Sequence, residues 1–209
     1  MITPTNAFIF APMFNQPPDG ANPNGNDATG AFQPGAQMFG DFCRNQGATV
    51  TSLLFNNHAS GAQRVNEILH NMAIAPSQLD TIAYFGHGSN DWLASAAIGS
   101  GSLATFITAL RANCGFCPTI VLYACSCGAP NGIASQIADG LSDVLGKVFG
   151  HATVGHAFRN PTVRAFPGGN RVAPADNIRA WVDAFNDTSN DLWIRSPFMT
   201  DDEIEAELS

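Results

Sequence analysis

Two stretches, Thr81–Gly88 (TIAYFGHG) and Thr119–Gly128 (TIVLYACSCG), decide how this chain folds. Each begins with an uncharged run rich in β-branched and aromatic residues, the side chains that fit a pleated surface. Each then stops at glycine and a reactive side chain. Near-continuous apolar runs, unlike alternating ones, belong to strands buried on both faces, the habit of parallel sheets covered by helices. Between them lies a helical pattern over Leu103–Asn113, with Leu103, Phe106, Ile107 and Leu110 on one face. Strand, helix and strand in that order make a right-handed crossover that brings the two strands parallel.

The same alternation continues in both directions. Ala7–Ala11 (AFIFA) reads as a buried strand and Ala48–Phe55 (ATVTSLLF) as a second. Ser60 opens a helix (GAQRVNEILHNM) with Val65, Ile68, Leu69 and Met72 inward. A further helix is expected over Gly132–Leu145, with Ile133, Ile137, Leu141 and Leu145 inward, and a fifth strand over Lys147–Val154. The expected class is α/β, three layers deep, a mostly parallel sheet with helices on both faces. Residues 15–40, rich in Gly, Pro and Asn, read as one long loop, and loops above about 12–15 residues are usually functional or disordered. Residues 160–209 read as a C-terminal extension of the same single domain spanning 1–209. It holds a helix over Asn177–Phe185, a strand at Leu192–Ile194, and a capping box at Thr200 and Glu203 before a short terminal helix.

Composition narrows the function classes. Apolar residues make up 45% of the 209, enough for a sizeable core, while charged residues are only 12%, about half the usual share of roughly 25%. Nine basic against seventeen acidic residues leave a net charge of −8, and no Lys or Arg precedes Arg44. A nucleic-acid binder needs a basic patch to track phosphates, and an anionic lipid surface draws basic segments, so neither partner is expected. The opening MITPTNAFIFAPMF has no basic region ahead of its apolar stretch. A cytoplasmic protein is therefore expected, with delivery outside the cell by a signal-independent route left open. The five cysteines, an odd number, favour a reducing compartment over a disulfide framework.

Ligands of open α/β sheets bind just beyond the carboxyl ends of the strands. There the third strand delivers His87, between Gly86 and Gly88, and the fourth delivers Cys125, thirty-eight residues later. Adjacent strands lie about 4.8 Å apart, so a thiol and an imidazole meet at one rim, as nucleophilic catalysis requires. The imidazole takes the thiol proton or hands one to a leaving amine. The backbone N–H groups of Gly88 and Cys125 are placed to hold an oxyanion.

An apolar strand ending in His-Gly, followed by an apolar strand ending in Ala-Cys, resembles the caspase-like (clan CD) cysteine peptidases: caspases, metacaspases, legumains, gingipains and clostripain. The run Ala124–Gly128, Ala-Cys-x-x-Gly, is similar to that of the legumain branch. The resemblance implies a caspase-like fold over about residues 5–160 and an endopeptidase acting on protein or peptide substrates through a thioester, without cofactor or metal. Cys125 would attack the carbonyl, His87 serve as acid and base, and Gly88 with Cys125 form the oxyanion hole. Such enzymes often select one charged or polar residue on the acyl side of the scissile bond. An acidic residue would call for Arg44 or Arg164, a basic one for Asp41 or Asp91, and the greater number of carboxylates tips the expectation toward a basic residue. The resemblance further implies restraint by a loop or prosegment, for which residues 15–40 stand as candidate.

Plainer readings compete at each position. Cysteine is among the most buried residue types, so Cys125 taken singly would be core, and Cys127 is read as a packed, inert thiol. Cys114 and Cys117 with Cys125 and Cys127 have spacings seen in structural zinc sites. The intervening strand, about 20 Å long, would hold the two pairs apart, so Cys114 and Cys117 read as a helix-end pair. His151 and His156 read as structural or surface residues, and Asp187–Asp191 as a solvated turn without the glycine and terminal glutamate of an EF-hand. A caspase-like fold serving only as a binding or scaffold module, its dyad idle, is the main rival to the enzyme.

Overall fold

The computed structural model describes residues 3–20, 23–151, 162–166, 178–180, 202–203 and 206. Five parallel strands form the sheet: β1 (Asn6–Pro12), β2 (Thr49–Phe55), β3 (Leu79–Phe85), β4 (Cys114–Tyr123) and β5 (Lys147–His151). Two antiparallel strands, β6 (Thr162–Phe166) and β7 (Ile178–Ala180), extend it, and the order across the sheet is β2-β1-β3-β4-β5-β6-β7. The α/β class and the mostly parallel sheet are as the apolar runs predicted.

Alternate residues of the central strands feed two cores. Ala7, Ile9, Ala83, Phe85, Val121 and Tyr123 face helix α1 (Gln33–Asn45), which contributes Ala36, Phe39, Phe42 and Cys43. There Phe39 meets Phe85 edge-on at 5.9 Å, and Phe85 stacks on Tyr123 at 5.0 Å. Phe8, Phe10, Ile82, Tyr84, Ile120 and Leu122 face the other way, toward α2 (Gly61–Ala73), α3 (Leu103–Asn113) and α4 (Ile133–Gly140). Both faces are thus dry over Ala7–Pro12 of β1, Thr81–Phe85 of β3 and Pro118–Tyr123 of β4, which is why these runs carry no polar alternation. Helix α2 starts as expected at Ser60, whose Oγ accepts from the Gln63 N–H while Gln63 Oε1 accepts from the Ser60 N–H.

Several expectations are corrected. Residues 15–40 are not one loop: a π-helical turn, Ala28–Phe32, runs directly into α1. Ala28, Ala31, Ala36, Phe39, Phe42 and Cys43 are buried along it, and Pro34 sits at the junction, the second residue of α1. Cys114 stands at a helix end as expected: it caps α3, its N–H donating to the Leu110 carbonyl, and is buried in the core. It is also the first residue of β4, so Cys117 lies within the strand, exposed, and not at a helix end; the pairing with β3 shifts register between Leu79 and Thr81. The helix after β4 stops at Gly140, followed by a 3-10 turn at Ser142–Val144. Leu145 is exposed and left-handed (φ 55°) instead of buried. Ile178–Ala180, expected within a helix, pairs with β6, so the open sheet edge overrides helical spacing. Val154, His156, Asp187–Asp191, Leu192–Ile194 and Thr200 lie outside the described residues, while Asp202, Glu203 and Ala206 are helical.

Candidate active site

Register brings the two reactive residues to one rim. Phe85 on β3 pairs with Tyr123 on β4, and His87 and Cys125 each lie two residues further along. The Gly86 N–H donates to the Tyr123 carbonyl at 3.2 Å, so the strands are still joined as they leave the sheet. At Gly88 the two chains touch: a Cβ there would lie 2.7 Å from the Ala124 Cβ and 3.1 Å from the Trp92 carbonyl oxygen. Only glycine fits that approach. Among the described residues the Gly88 N–H donates to no protein acceptor, which leaves it available to a bound oxygen.

His87 is held at both ends. Its carbonyl accepts from the Tyr84 hydroxyl (2.8 Å) and the Ala94 N–H (2.8 Å), and its N–H donates to Ser95 Oγ (3.0 Å). Burial pushes the Tyr84 phenol well above its ordinary range, so it remains a donor. On the side chain, Nε2 lies 2.6 Å from Asp27 Oδ2, and the Phe32 ring meets the imidazole edge-on at 4.9 Å. The Asp27 side chain is only 5% exposed against 41% for His87, and its Oδ1 accepts from the Gln16 N–H at 2.7 Å. A carboxylate accepts only, so Nε2 carries the proton toward Asp27, and in the neutral imidazole the lone pair resides on Nδ1.

Cys125 is half-buried and joins no disulfide. The strand ends just before it, and Ser126 turns the chain through a left-handed conformation (φ 53°). That turn drops Cys127 into the core, where its Sγ donates to the carbonyls of Leu122 (3.2 Å) and Ala124 (3.0 Å). Burial pushes the Cys127 thiol up to about 12, which keeps it protonated and inert. Gly128 is required because a Cβ there would lie 2.2 Å from the Gly150 carbonyl oxygen of β5. The Ala-Cys-x-x-Gly run therefore encodes a strained turn and a tight seat on β5, with one thiol outside and one inside.

The candidate selectivity residues part company. Helix α1 starts beside His87, where Phe32 precedes it, and descends toward the beginning of β2, so its far turn is about 15 Å from the reactive rim. Asp41 and Arg44 lie in that part of α1, exposed and paired with each other at 2.8 Å, away from His87 and Cys125. Arg164 sits on β6 opposite Gly150 of β5. Asp91 alone of the four stands in the turn that follows Gly88, where the Ser89 hydroxyl donates to its Oδ1 at 3.2 Å. Cys114 and Cys117 mark the opposite end of β4 from Cys125.

Asp27 is the residue the sequence reading missed. The i, i+3, i+4 spacing of Ala28, Ala31, Phe32, Gly35, Ala36 and Phe39 would have revealed the helical turn it precedes; Gly30, Pro34 and Gly35 disguised it. Comparison of the chain with known protein families and with characterised proteins returns no match. Among the described residues no helix is long and apolar enough to cross a membrane.

Proposed function

We propose that this chain is a caspase-like cysteine endopeptidase in which Cys125 and His87 form the dyad and Asp27 positions the imidazole. The observation that carries the reading is the shared rim: His87 and Cys125 leave adjacent, hydrogen-bonded strands at matching register, with the unengaged Gly88 N–H beside them. His87 Nδ1 takes the Cys125 thiol proton as Sγ adds to the scissile carbonyl. The developing oxyanion is held by the N–H groups of Gly88 and Cys125. The imidazolium then gives its proton to the leaving amine, and the C–N bond breaks to leave a thioester on Cys125. Water, deprotonated by His87, attacks that thioester and restores the thiol. Throughout, Asp27 holds one tautomer and stabilises the transient cation, as the buried carboxylate does in triads of other folds. The substrates are proteins or peptides, the reaction needs no cofactor, and the setting is cytoplasmic.

Profiling the protein against a diverse peptide library tests the assignment. The expected result is cleavage at a restricted set of bonds, abolished in Cys125→Ala. No cleavage of any member, together with an unreactive Cys125, would make the fold a binding module with an idle dyad.

A further inference from the structure

A cleft of about 640 Å³ opens beside the turn that follows Gly88, a size typical of ligand sites. Its walls come from the first turns of α2 and α3 and from residues 91–102. Trp92, half-exposed, lines it together with Gly99, which makes room for the indole: a Cβ there would lie 2.7 Å from Trp92 Cδ1. Asn66, Ser100, Ser102 and Thr105 supply polar groups. Asp91 is the one ionisable residue of the lining, and no Lys, Arg or His shares it. Arg64 of α2 does not line the cleft, its Nη1 donating to the Ser95 carbonyl at 2.9 Å.

We infer that this cleft is an accessory subsite that takes an arginine or lysine side chain of a peptide substrate. The inference rests on the peptidase reading for its setting, not for its chemistry. A carboxylate with no cation in the same lining, next in sequence to a half-exposed indole, suits a cation on a long aliphatic stem. The stem lies on the Trp92 ring and on Ala62, Val65 and Ala97, and the charged head reaches Asp91. The residue held here is not the one that donates the scissile carbonyl. Trp92 turns its main-chain oxygen toward Gly88 and its ring toward Gly99, which lines the cleft. The Ser89–Trp92 turn, closed by the Ser89 N–H to Trp92 oxygen bond at 2.8 Å, therefore stands between cleft and dyad. Recognition is thus carried by a neighbouring position of the same peptide.

The test is calorimetric binding to the Cys125→Ala protein, with two acetylated, amidated glycine-rich peptides that differ only by arginine or its neutral isostere citrulline. The arginine peptide is expected to bind about tenfold tighter. Asp91→Asn should erase the difference, and Trp92→Ala should weaken the arginine peptide. Thermal melts of both variants at the Cys125→Ala value exclude unfolding as the cause. Equal binding of the two peptides, or a preference untouched by Asp91→Asn, overturns the subsite. So does a free alkylguanidine that binds as tightly as the arginine peptide, because the site would then read a small cation and no peptide. The charge preference seen without cleavage of any library peptide by wild type would keep the subsite and remove the peptidase. Cleavage without the preference would do the reverse.

Discussion

His87 Nε2 and Asp27 Oδ2, sixty residues apart in sequence, lie 2.6 Å from each other, with the carboxylate buried and the imidazole at the rim. The pair joins the π-helical turn before α1 to the end of β3. It makes residues outside the two reactive strands part of the site. Asp27→Ala should lower kcat by about 10²-fold with little change in KM, since the aspartate orients the base and does not touch substrate. Steady-state kinetics on a library-derived peptide check this; unchanged kcat would detach Asp27 from the mechanism.

Thiol accessibility separates the five cysteines. Cys117 is exposed and Cys125 half-buried, while Cys43, Cys114 and Cys127 are buried, with burial pushing each of these three thiols up to about 12. Iodoacetamide at neutral pH should therefore label two sites in the native protein and five after unfolding, as counted by intact mass. His87→Ala should slow labelling at Cys125 and leave Cys117 as before. Equal rates at Cys125 in both proteins would mean that the imidazole does not act on that thiol.

Stability should fall on acidification. His151 is buried against the Tyr123 ring at 4.5 Å, and burial lowers its pKa from 6.5 to about 3. Between these values the unfolded chain binds a proton that the folded chain excludes. Unfolding is therefore favoured as pH drops from 6.5 toward 3, by up to roughly 1.4 kcal/mol per pH unit. Denaturant melts of wild type and His151→Phe across that window should show a shallower pH dependence in the variant. Parallel pH profiles would contradict the assignment.

Leu145 holds a left-handed backbone conformation at φ 55°, with its side chain exposed. A β-carbon in that region costs about 1–2 kcal/mol. Leu145→Gly should raise the melting temperature by about 2–4 °C, a gain of about 1 kcal/mol for a chain of this size, because no buried contact is lost. A lower melting temperature would show that Leu145 packs on something that the exposed side chain conceals.

The strands and helices around His87 and Cys125 were legible because both faces are covered over Ala7–Pro12, Thr81–Phe85 and Pro118–Tyr123, which leaves unbroken apolar runs in the sequence. The register of His87 and Cys125 followed from those runs and the one-helix crossover between them. Asp27 was illegible because its partner is distant in sequence and the turn that carries it is written in Ala, Gly and Pro. Leu145 was misjudged because its spacing continues the apolar face of α4, whereas the helix stops at Gly140 and the chain turns outward. Cys117 reads as part of a helix end because the irregular first residues of β4 break the apolar run. Ile178–Ala180 was misread because an open sheet edge recruits backbone whatever its side-chain period.

The most direct test of the dyad is the turnover of one cleaved peptide by wild type, Cys125→Ala, His87→Ala and the double variant, each shown to be folded by its thermal melt. Two residues that act as a unit on one amide predict that each single variant loses at least about 10³-fold in kcat/KM and that the double variant is no worse than either. Full turnover by Cys125→Ala, or losses in the two single variants that multiply in the double, would contradict the account.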